Sequence, residues 1–159
     1  MQPERKNIRL PNYDYSQNGA YFITICTYNR KKIFGAVGAD SISARTVAEV
    51  FEEVVSTYAN VSSPKYVVMP DHFHALIVIE RADMESAPTL SEIVQAFKRY
   101  STVRISDLVR KGLVQPYEKK VWQRSYYDHV IRNQQDFNEI WEYIEQNPQK
   151  WKREHLQEA

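Results

Sequence analysis

The chain has 159 residues, enough to bury one hydrophobic core, so we expect a single domain over residues 1–159 that begins with an N-terminal arm at residues 1–18. A net charge of +1 argues against a uniformly basic surface for duplex DNA, and a single cysteine excludes a disulfide within the chain. No apolar segment approaches the ~20 residues needed to cross a bilayer, so we expect a cytoplasmic protein with no membrane contact.

Hydrophobic periodicity and turn residues predict four strands and three helices. In chain order these are a strand at Tyr21–Thr27, a helix from Thr46 to about Ala59, strands at Lys65–Met69 and His72–Glu80 joined by a tight turn, and a helix capped by Thr89 that ends near Gly112. A fourth strand or extended segment follows at Val121–Tyr127, and then a helix from an Asp136 N-cap to Gln146. Asn147-Pro148 is expected to stop the last helix, because a proline disfavours helical conformation in the residue before it.

The order strand, helix, strand, strand, helix, strand is typical of an α+β, ferredoxin-like (split βαβ) fold, whose antiparallel sheet carries helices on one face. The C-terminal helix is additional to this pattern. Because the same fold serves RNA-binding modules and metabolic enzymes, the fold alone predicts no function.

Two histidines lie together on the third predicted strand. His72 and His74 are two residues apart, so their side chains share one face while Phe73 enters the other. Two adjacent imidazoles supply half of a metal site and leave room for a third ligand and for a substrate oxygen. The alternative is that one histidine is a hydrogen-bonded core residue and the other is exposed.

The last helix offers a partner for these histidines. Tyr143 and Asn147 are four residues apart and therefore lie on one helical face, from which a phenol and an amide oxygen could reach one metal site. The apolar stripe of the helix is formed by Phe137, Ile140, Trp141 and Ile144, so Tyr143 and Asn147 lie off its centre. The alternatives are that Tyr143 only packs and that Asn147 only marks the end of the helix.

Several segments together resemble one known family. They are Tyr15-Ser16, Tyr21–Thr27 with Arg30, Val68–Ala75 (VMPDHFHA), Trp122–Arg132 (WQRSYYDHVIR) and Glu142–Pro148 (EYIEQNP). This combination is similar to the IS200-like (Y1, HUH) transposases and, within them, to the REP-associated tyrosine transposases. The resemblance covers essentially the whole chain, and the pairing of Met-Pro-Asp-His-x-His with a downstream Tyr-Ile-x-x-Asn-Pro is highly specific.

The resemblance implies a single-stranded-DNA nickase and strand transferase. It implies His72 and His74 as metal ligands, Asn147 as a third ligand where related IS200-type enzymes carry glutamine, and Tyr143 as the nucleophile that forms a 5'-phosphotyrosine. The implied metal is Mg²⁺ or Mn²⁺, and the implied partner is single-stranded DNA with an imperfect hairpin, such as a REP-like palindrome. Related transposases include homodimers that exchange the tyrosine helix, so a homodimer and a monomer are both expected arrangements.

Basic and aromatic residues around this site are candidates for DNA contact. They are Lys98 and Arg99 on the second helix, Arg124 and Arg132 around the last strand, the arm from Arg5 to Tyr15, and Tyr126 or Tyr127 as a stacking platform. Arg132 and His129 could equally hold the last helix against the sheet.

Other functions stay open at this point. A non-catalytic module that binds single-stranded nucleic acid would explain the fold and the aromatic residues, but not two histidines on one strand. A metal-dependent hydrolase would use water instead of Tyr143 as its nucleophile. A domesticated enzyme acting on dispersed palindromes would keep the family chemistry without mobility.

Overall fold

The computed structural model describes residues 19–35, 41–80 and 87–155, and of residues 151–155 the backbone only. Within these ranges the elements are β1 (Gly19–Cys26), α1 (Ile42–Thr57), β2 (Val61–Ser62), β3 (Tyr66–Met69), β4 (His72–Ile79), α2 (Leu90–Arg110), β5 (Tyr127–Val130) and α3 (Gln134–His155). A short 3-10 turn at Tyr28–Arg30 follows β1. The predicted α+β class is confirmed, and the N-terminal arm at residues 1–18 lies outside the described residues.

The described strands form one antiparallel sheet with β4 and β1 at its centre. β1 pairs with β4 on one side and with β5 on the other, and the second edge of β4 pairs with both β2 and β3. β2 and β3 therefore act as one edge strand, interrupted where Ser63 Oγ donates to the Leu76 carbonyl (2.5 Å) and the Leu76 N–H donates to the Lys65 carbonyl (2.9 Å). The strand order is that of the predicted ferredoxin-like sheet, but the sequence pattern did not reveal β2.

Alternation along the buried strand β4 divides its side chains between two apolar clusters. The side chains that face α1 and α2 are Phe73, Ala75, Ile77 and Ile79. Leu76 and Val78 face the other way and join a smaller cluster with residues of α3. The sheet thus has two helices on one face and the C-terminal helix on the opposite face.

Both helices of the first layer begin at side-chain caps. Ser41 Oγ accepts a hydrogen bond from the Ala44 N–H (3.1 Å), so α1 begins four residues before the predicted Thr46. Thr89 caps α2 as predicted, since its Oγ1 accepts from the Glu92 N–H (3.1 Å).

Both predicted ends of α3 were wrong. Asn133 Oδ1 accepts from the Asp136 N–H (2.8 Å), so Asn133 fills the capping role expected of Asp136. Pro148 lies inside the helix, which continues to His155. A proline removes one backbone hydrogen bond, and the following residues contain neither glycine nor a second proline to end the helix.

The last strand lies later than predicted. Ser125 has a left-handed backbone (φ 75°), which interrupts the extended run, and β5 starts only at Tyr127. Trp122 is instead buried beside β1, where it forms an isolated bridge with Thr27 and its Nε1 donates to Ser101 Oγ (2.8 Å). No helix within the described residues is both long and apolar enough to cross a membrane.

Candidate active site

His72 and His74 lie side by side on the face of β4 that α3 covers. Their ring centroids are 4.6 Å apart, and they are 8% and 4% exposed. Across the β1–β4 ladder, Cys26 is opposite His72 and Thr24 is opposite His74. Directly opposite residues of an antiparallel pair project to the same face, so these four side chains form one surface.

A carboxylate fixes the orientation of His72. His72 Nδ1 lies 2.7 Å from Asp71 Oδ1, and Arg30 Nε donates to Asp71 Oδ2 (3.3 Å). An ionised carboxylate can only accept a hydrogen bond, so Nδ1 carries the proton and Nε2 of neutral His72 keeps its lone pair. Asp71 therefore selects the tautomer of His72 that can act as a ligand through Nε2.

His74 is held in a similar way by a neighbouring strand. Its Nδ1 lies 2.9 Å from Thr24 Oγ1, and its ring stacks on Phe22 with 5.2 Å between the ring centroids. Among the described side chains, His74 Nε2 is the buried polar atom without a hydrogen-bond partner. A buried polar atom in this state is costly unless a ligand satisfies it.

The electrostatics keep both imidazoles neutral near pH 7. Burial lowers the pKa of His72, and the Asp71 hydrogen bond only partly opposes this. Burial, followed by the neighbouring His72, lowers the pKa of His74 to about 3. Burial alone would raise the pKa of Asp71, but the hydrogen bond with His72 and the charge of Arg30 lower it. Neutral imidazole is the form that binds a metal ion.

α3 brings Tyr143 onto this surface. The Tyr143 ring meets the His74 ring nearly edge-on, with 5.5 Å between centroids, and lies 5.9 Å from Phe22. Tyr143 is 46% exposed, whereas Ile144 beside it is 1% exposed and packs in the smaller cluster. The predicted phase of the helix is confirmed for Tyr143: Phe137 and Ile144 are buried, Ile140 and Trp141 pack half-buried against the same cluster, and the phenol remains accessible.

Asn147 lies one helical turn beyond Tyr143 and is 8% exposed. The chain just before α3 is bonded at the far end of the sheet, where the Ile131 N–H donates to the Ala20 carbonyl (2.8 Å) opposite Val78. Since Tyr143 already lies against His74, α3 runs along β4 from Val78 toward His72. One further turn, about 5.4 Å, carries Asn147 in that direction.

The two imidazoles could hold a divalent ion, and the direction of α3 carries the buried amide of Asn147 toward them. Within the described residues, no group of three His, Cys, Asp or Glu side chains is placed to hold a metal. Among the described residues, a third protein ligand would therefore be of another type, and the amide oxygen of Asn147 is such a donor.

The family of the chain follows from comparison with known proteins. Residues 15–147 match the model of the family described as IS200-like transposases. The chain belongs to the IS200-like transposase family. The resemblance noted in the sequence motifs is therefore confirmed.

Two relatives of this IS200-like chain occur in Haemophilus influenzae. An uncharacterised protein is 31% identical over 96% of the chain and 92% of its own length. A protein assigned provisionally to the REP-associated tyrosine transposases is 24% identical over 89% of the chain and 77% of its own length.

Solved structures share the fold. A REP-associated tyrosine transposase bound to a REP hairpin superposes with a TM-score of 0.61 at 19% identity, covering 90% of this chain and 74% of that one. A protein from Deinococcus radiodurans described provisionally as a transposase gives a TM-score of 0.55 at 18% identity, covering 89% and 97%.

The predicted DNA-contact residues of this IS200-like chain divide between the two faces of the sheet. Tyr127 is opposite Thr24 in the β1–β5 ladder, so it projects on the site's face, and it is 60% exposed. Arg124 and Arg132 are exposed on either side of β5. His129 Nε2 lies 2.8 Å from Asp136 Oδ2 in the first turn of α3, which supports the reading that His129 holds the helix.

Lys98 and Arg99 are placed differently, since α2 covers the opposite face. Lys98 Nζ donates to the carbonyls of Gln123 (3.0 Å) and Ser125 (2.6 Å), which anchors the segment before β5. Arg99 lies over the Tyr100 ring, 5.1 Å from its centroid, and lines a groove between α1 and α2. The structure therefore does not bring Arg99 together with Tyr143 and the histidines.

Three residues of the site were not singled out as site residues from the sequence: Thr24, Asp71 and Arg30. Asp71 had a usable signal, because a carboxylate directly before a ligand-type histidine can reach its ring. Thr24 had a weaker one, as a polar side chain inside an apolar strand. The position of Arg30 depends on the backbone of the turn after β1, which the sequence pattern did not reveal.

Proposed function

We propose that this chain is a metal-dependent endonuclease and strand transferase for single-stranded DNA bearing a hairpin, in which Tyr143 forms a 5'-phosphotyrosine. One observation carries the proposal: an accessible phenol lies against His74, whose buried Nε2 has no partner among the described residues. Packing alone does not account for an uncompensated nitrogen at a well-buried position.

The family resemblance implies Mg²⁺ or Mn²⁺, which His72, His74 and Asn147 would hold. When bound, the ion would supply Lewis-acid stabilisation of charge on the scissile phosphate. Asp71 and Thr24 would keep the Nδ1 side of each imidazole occupied, so that both Nε2 atoms stay free for binding. The neutral charge state of both rings favours this role, because no proton has to leave before a ligand binds.

Tyr143 would act as the nucleophile. Its oxygen forms a bond to phosphorus and gives up the phenolic proton, the bond between phosphorus and the 3'-oxygen breaks, and the 3'-oxygen leaves as a hydroxyl after protonation. The phosphate stays on the 5'-oxygen of the next nucleotide. Attack by another 3'-hydroxyl reverses these steps and joins the strands without ATP.

The hairpin partner is proposed by analogy. A structure of the same fold is bound to a REP hairpin, and that supports a REP-like palindrome as the substrate here. Tyr127, on the same sheet face and largely exposed, is our candidate for stacking on an unpaired base.

The test is a search for covalent protein–DNA adducts on denaturing gels after incubation with a pool of hairpin-bearing single-stranded oligonucleotides and manganese. The adduct should form with the wild type and be lost in Tyr143→Phe and in His72→Ala. Tyr100→Phe is the matched control, because Tyr100 is similarly exposed (50%) but lies on α2. Cleavage that survives in Tyr143→Phe would favour a water nucleophile, and binding without manganese response or adduct would favour a non-catalytic module.

A mixing experiment tests whether Tyr143 and His74 of one site belong to the same chain or to two subunits. Tyr143 contacts His74 of the same chain, which supports a site built within one protein molecule. A mixture of His74→Ala and Tyr143→Phe proteins should then stay inactive. Recovery of adduct formation in the mixture would instead show that a homodimer exchanges the tyrosine helix.

A further inference from the structure

The turn after β1 holds Arg30 in an uncommon conformation. Asn29 and Arg30 both have φ of 54°, in the left-handed region that non-glycine residues seldom adopt. Such a backbone persists only where the surroundings hold it, and the cases found are concentrated at functional sites. It fixes the direction in which the Arg30 side chain leaves the turn.

The Arg30 guanidinium lies at the rim of the histidine surface. Its Nε donates to Asp71 Oδ2 (3.3 Å), and its Nη1 is 3.5 Å from Cys26 Sγ. Cys26 is directly opposite His72 and shares its sheet face. The guanidinium is therefore next to the predicted ligand His72.

This group is available to a ligand. A guanidinium carries five N–H donors, and the contacts with Asp71 and Cys26 use two of them among the described residues. The side chain remains 56% exposed, although its partner Asp71 is 13% exposed. An arginine whose only task was to hold Asp71 would not need this exposure, and a planar fork at an open rim suits a phosphate group.

We propose that Arg30 binds a backbone phosphate of the DNA strand beside the histidine site. This inference rests on the proposed function, and it adds a contact residue to it. Arg30 would dock the strand by charge and by paired hydrogen bonds, with Asp71 holding the guanidinium in place from behind.

Lys31 provides a matched control in the adjacent position. It is also an exposed cation, but its side chain lines a depression with residues 113–118 rather than the histidine surface. Removing the charge of Lys31 therefore tests the general electrostatic effect of the turn without touching the proposed contact.

The test uses the non-cleaving Tyr143→Phe protein with single-stranded hairpin DNA. Arg30→Gln should reduce the slope of log affinity against log salt by about 0.7, the value for one phosphate contact on a single strand, whereas Lys31→Gln should change it less. Phosphates are then replaced one at a time by neutral methylphosphonates. At one position near the scissile bond the replacement should weaken the Arg30 protein several-fold and leave the Arg30→Gln protein unchanged.

Two further measurements separate this role from a structural one. If Arg30 acts only by holding Asp71, Arg30→Gln will reduce the manganese-induced rise in melting temperature and show no methylphosphonate coupling, which overturns the inference. Arg30→Lys keeps the charge and should keep the salt slope, but it lacks the paired N–H donors of a guanidinium, so its methylphosphonate coupling should be weaker than that of Arg30. This difference tests the contact if Arg30→Gln does not fold.

The outcomes also separate this inference from the proposed function. Methylphosphonate coupling at Arg30 without any covalent adduct would support the phosphate contact and contradict the proposed nicking reaction. An adduct in the wild type without coupling at any phosphate would overturn the Arg30 contact alone. Absence of binding to single-stranded DNA would overturn both.

Discussion

Replacing His74 with leucine should stabilise the protein when metal is removed with a chelator. The buried Nε2 of His74 has no partner, and leaving such an atom unsatisfied costs about 1–3 kcal/mol. The substitution also gives up the contact with Thr24, worth about 0.5–1.5 kcal/mol. The free energy of unfolding of the variant should therefore exceed that of the wild type by about 1 kcal/mol at neutral pH. This corresponds to a rise in melting temperature of about 2–4 °C.

The advantage of His74→Leu should grow as the pH falls. Burial and the neighbouring His72 lower the pKa of His74 from 6.5 to about 3 in the folded protein. Between these values the unfolded chain binds a proton that the folded protein does not, so the wild type loses stability as pH falls, by up to about 1.4 kcal/mol per pH unit. The variant lacks the His74 imidazole and therefore this loss of stability. The lowered pKa of His72 is common to both proteins.

Urea denaturation with a chelator, at about pH 7.5 and about pH 5, measures both effects. His72→Leu is the matched control; it should be destabilised near pH 7.5 because it leaves the Asp71 carboxylate without its histidine partner. With manganese at about 100 times its dissociation constant, the wild type should become more stable than His74→Leu. Metal binding adds about 2.7 kcal/mol to the free energy of unfolding of the wild type and not to that of the variant. A His74→Leu protein that is less stable than the wild type in chelator, with a gap independent of pH, would refute the reasoning.

Three other substitutions test separate contacts. Asn133→Ala removes the cap of α3, the acceptor for the Asp136 N–H, and should lower the free energy of unfolding by about 1 kcal/mol in urea, while Asn133→Ser retains a cap. Trp122→Phe removes the buried donor to Ser101 and should cost about 1–3 kcal/mol in the same assay. Tyr127→Ala should weaken binding of single-stranded DNA by about 1–3 kcal/mol in a fluorescence titration, whereas Tyr127→Phe should retain the affinity.

Each of these results can go the other way. An unchanged urea midpoint in Asn133→Ala would mean that Asn133 contributes no cap in solution. If Trp122→Phe is as stable as the wild type, the hydrogen bond from the Trp122 indole to Ser101 contributes little to stability beyond the bond that the indole makes with water in the unfolded chain. Equal DNA affinity of Tyr127→Ala would place the strand elsewhere on the sheet.

The parts of the site that depend on local periodicity could be predicted from the sequence. The two-residue period of a strand places His72 and His74 on one face and Phe73 on the other, where it packs 4.8 Å from both Phe51 and Phe97 in ring centroids. The helical period leaves Tyr143 accessible beside the buried Ile144. Both inferences need only the neighbouring residues in the chain.

Contacts between distant segments could not be predicted in the same way. Thr24 and His74 are 50 residues apart, and their pairing depends on the register of β1 against β4. The bonds of Lys98 to two carbonyls reach 25 and 27 residues along the chain and depend on where Ser125 bends the backbone. A single sequence carries no direct signal for register or for a left-handed residue other than glycine.

The continuation of α3 past Pro148 has a different physical reason. A proline is expected to end a helix because it removes a hydrogen bond and restricts the preceding residue. Here the preceding residue is Asn147, which is 8% exposed. Tertiary packing of this turn therefore outweighs the local preference against a helix. Helix propensities do not include such packing.

Two buried serines on one face of the sheet are hydrogen-bonded, whereas a buried histidine on the other face has a nitrogen without a partner. On the α1 and α2 face, Ser43 Oγ donates to the Ile33 carbonyl (3.1 Å) and Ser101 Oγ to the Phe97 carbonyl (2.6 Å). On the α3 face, His74 is equally buried but keeps an unpartnered nitrogen beside an accessible phenol. A leucine at this position would satisfy the core better, and this supports the proposal that His74 serves as a ligand.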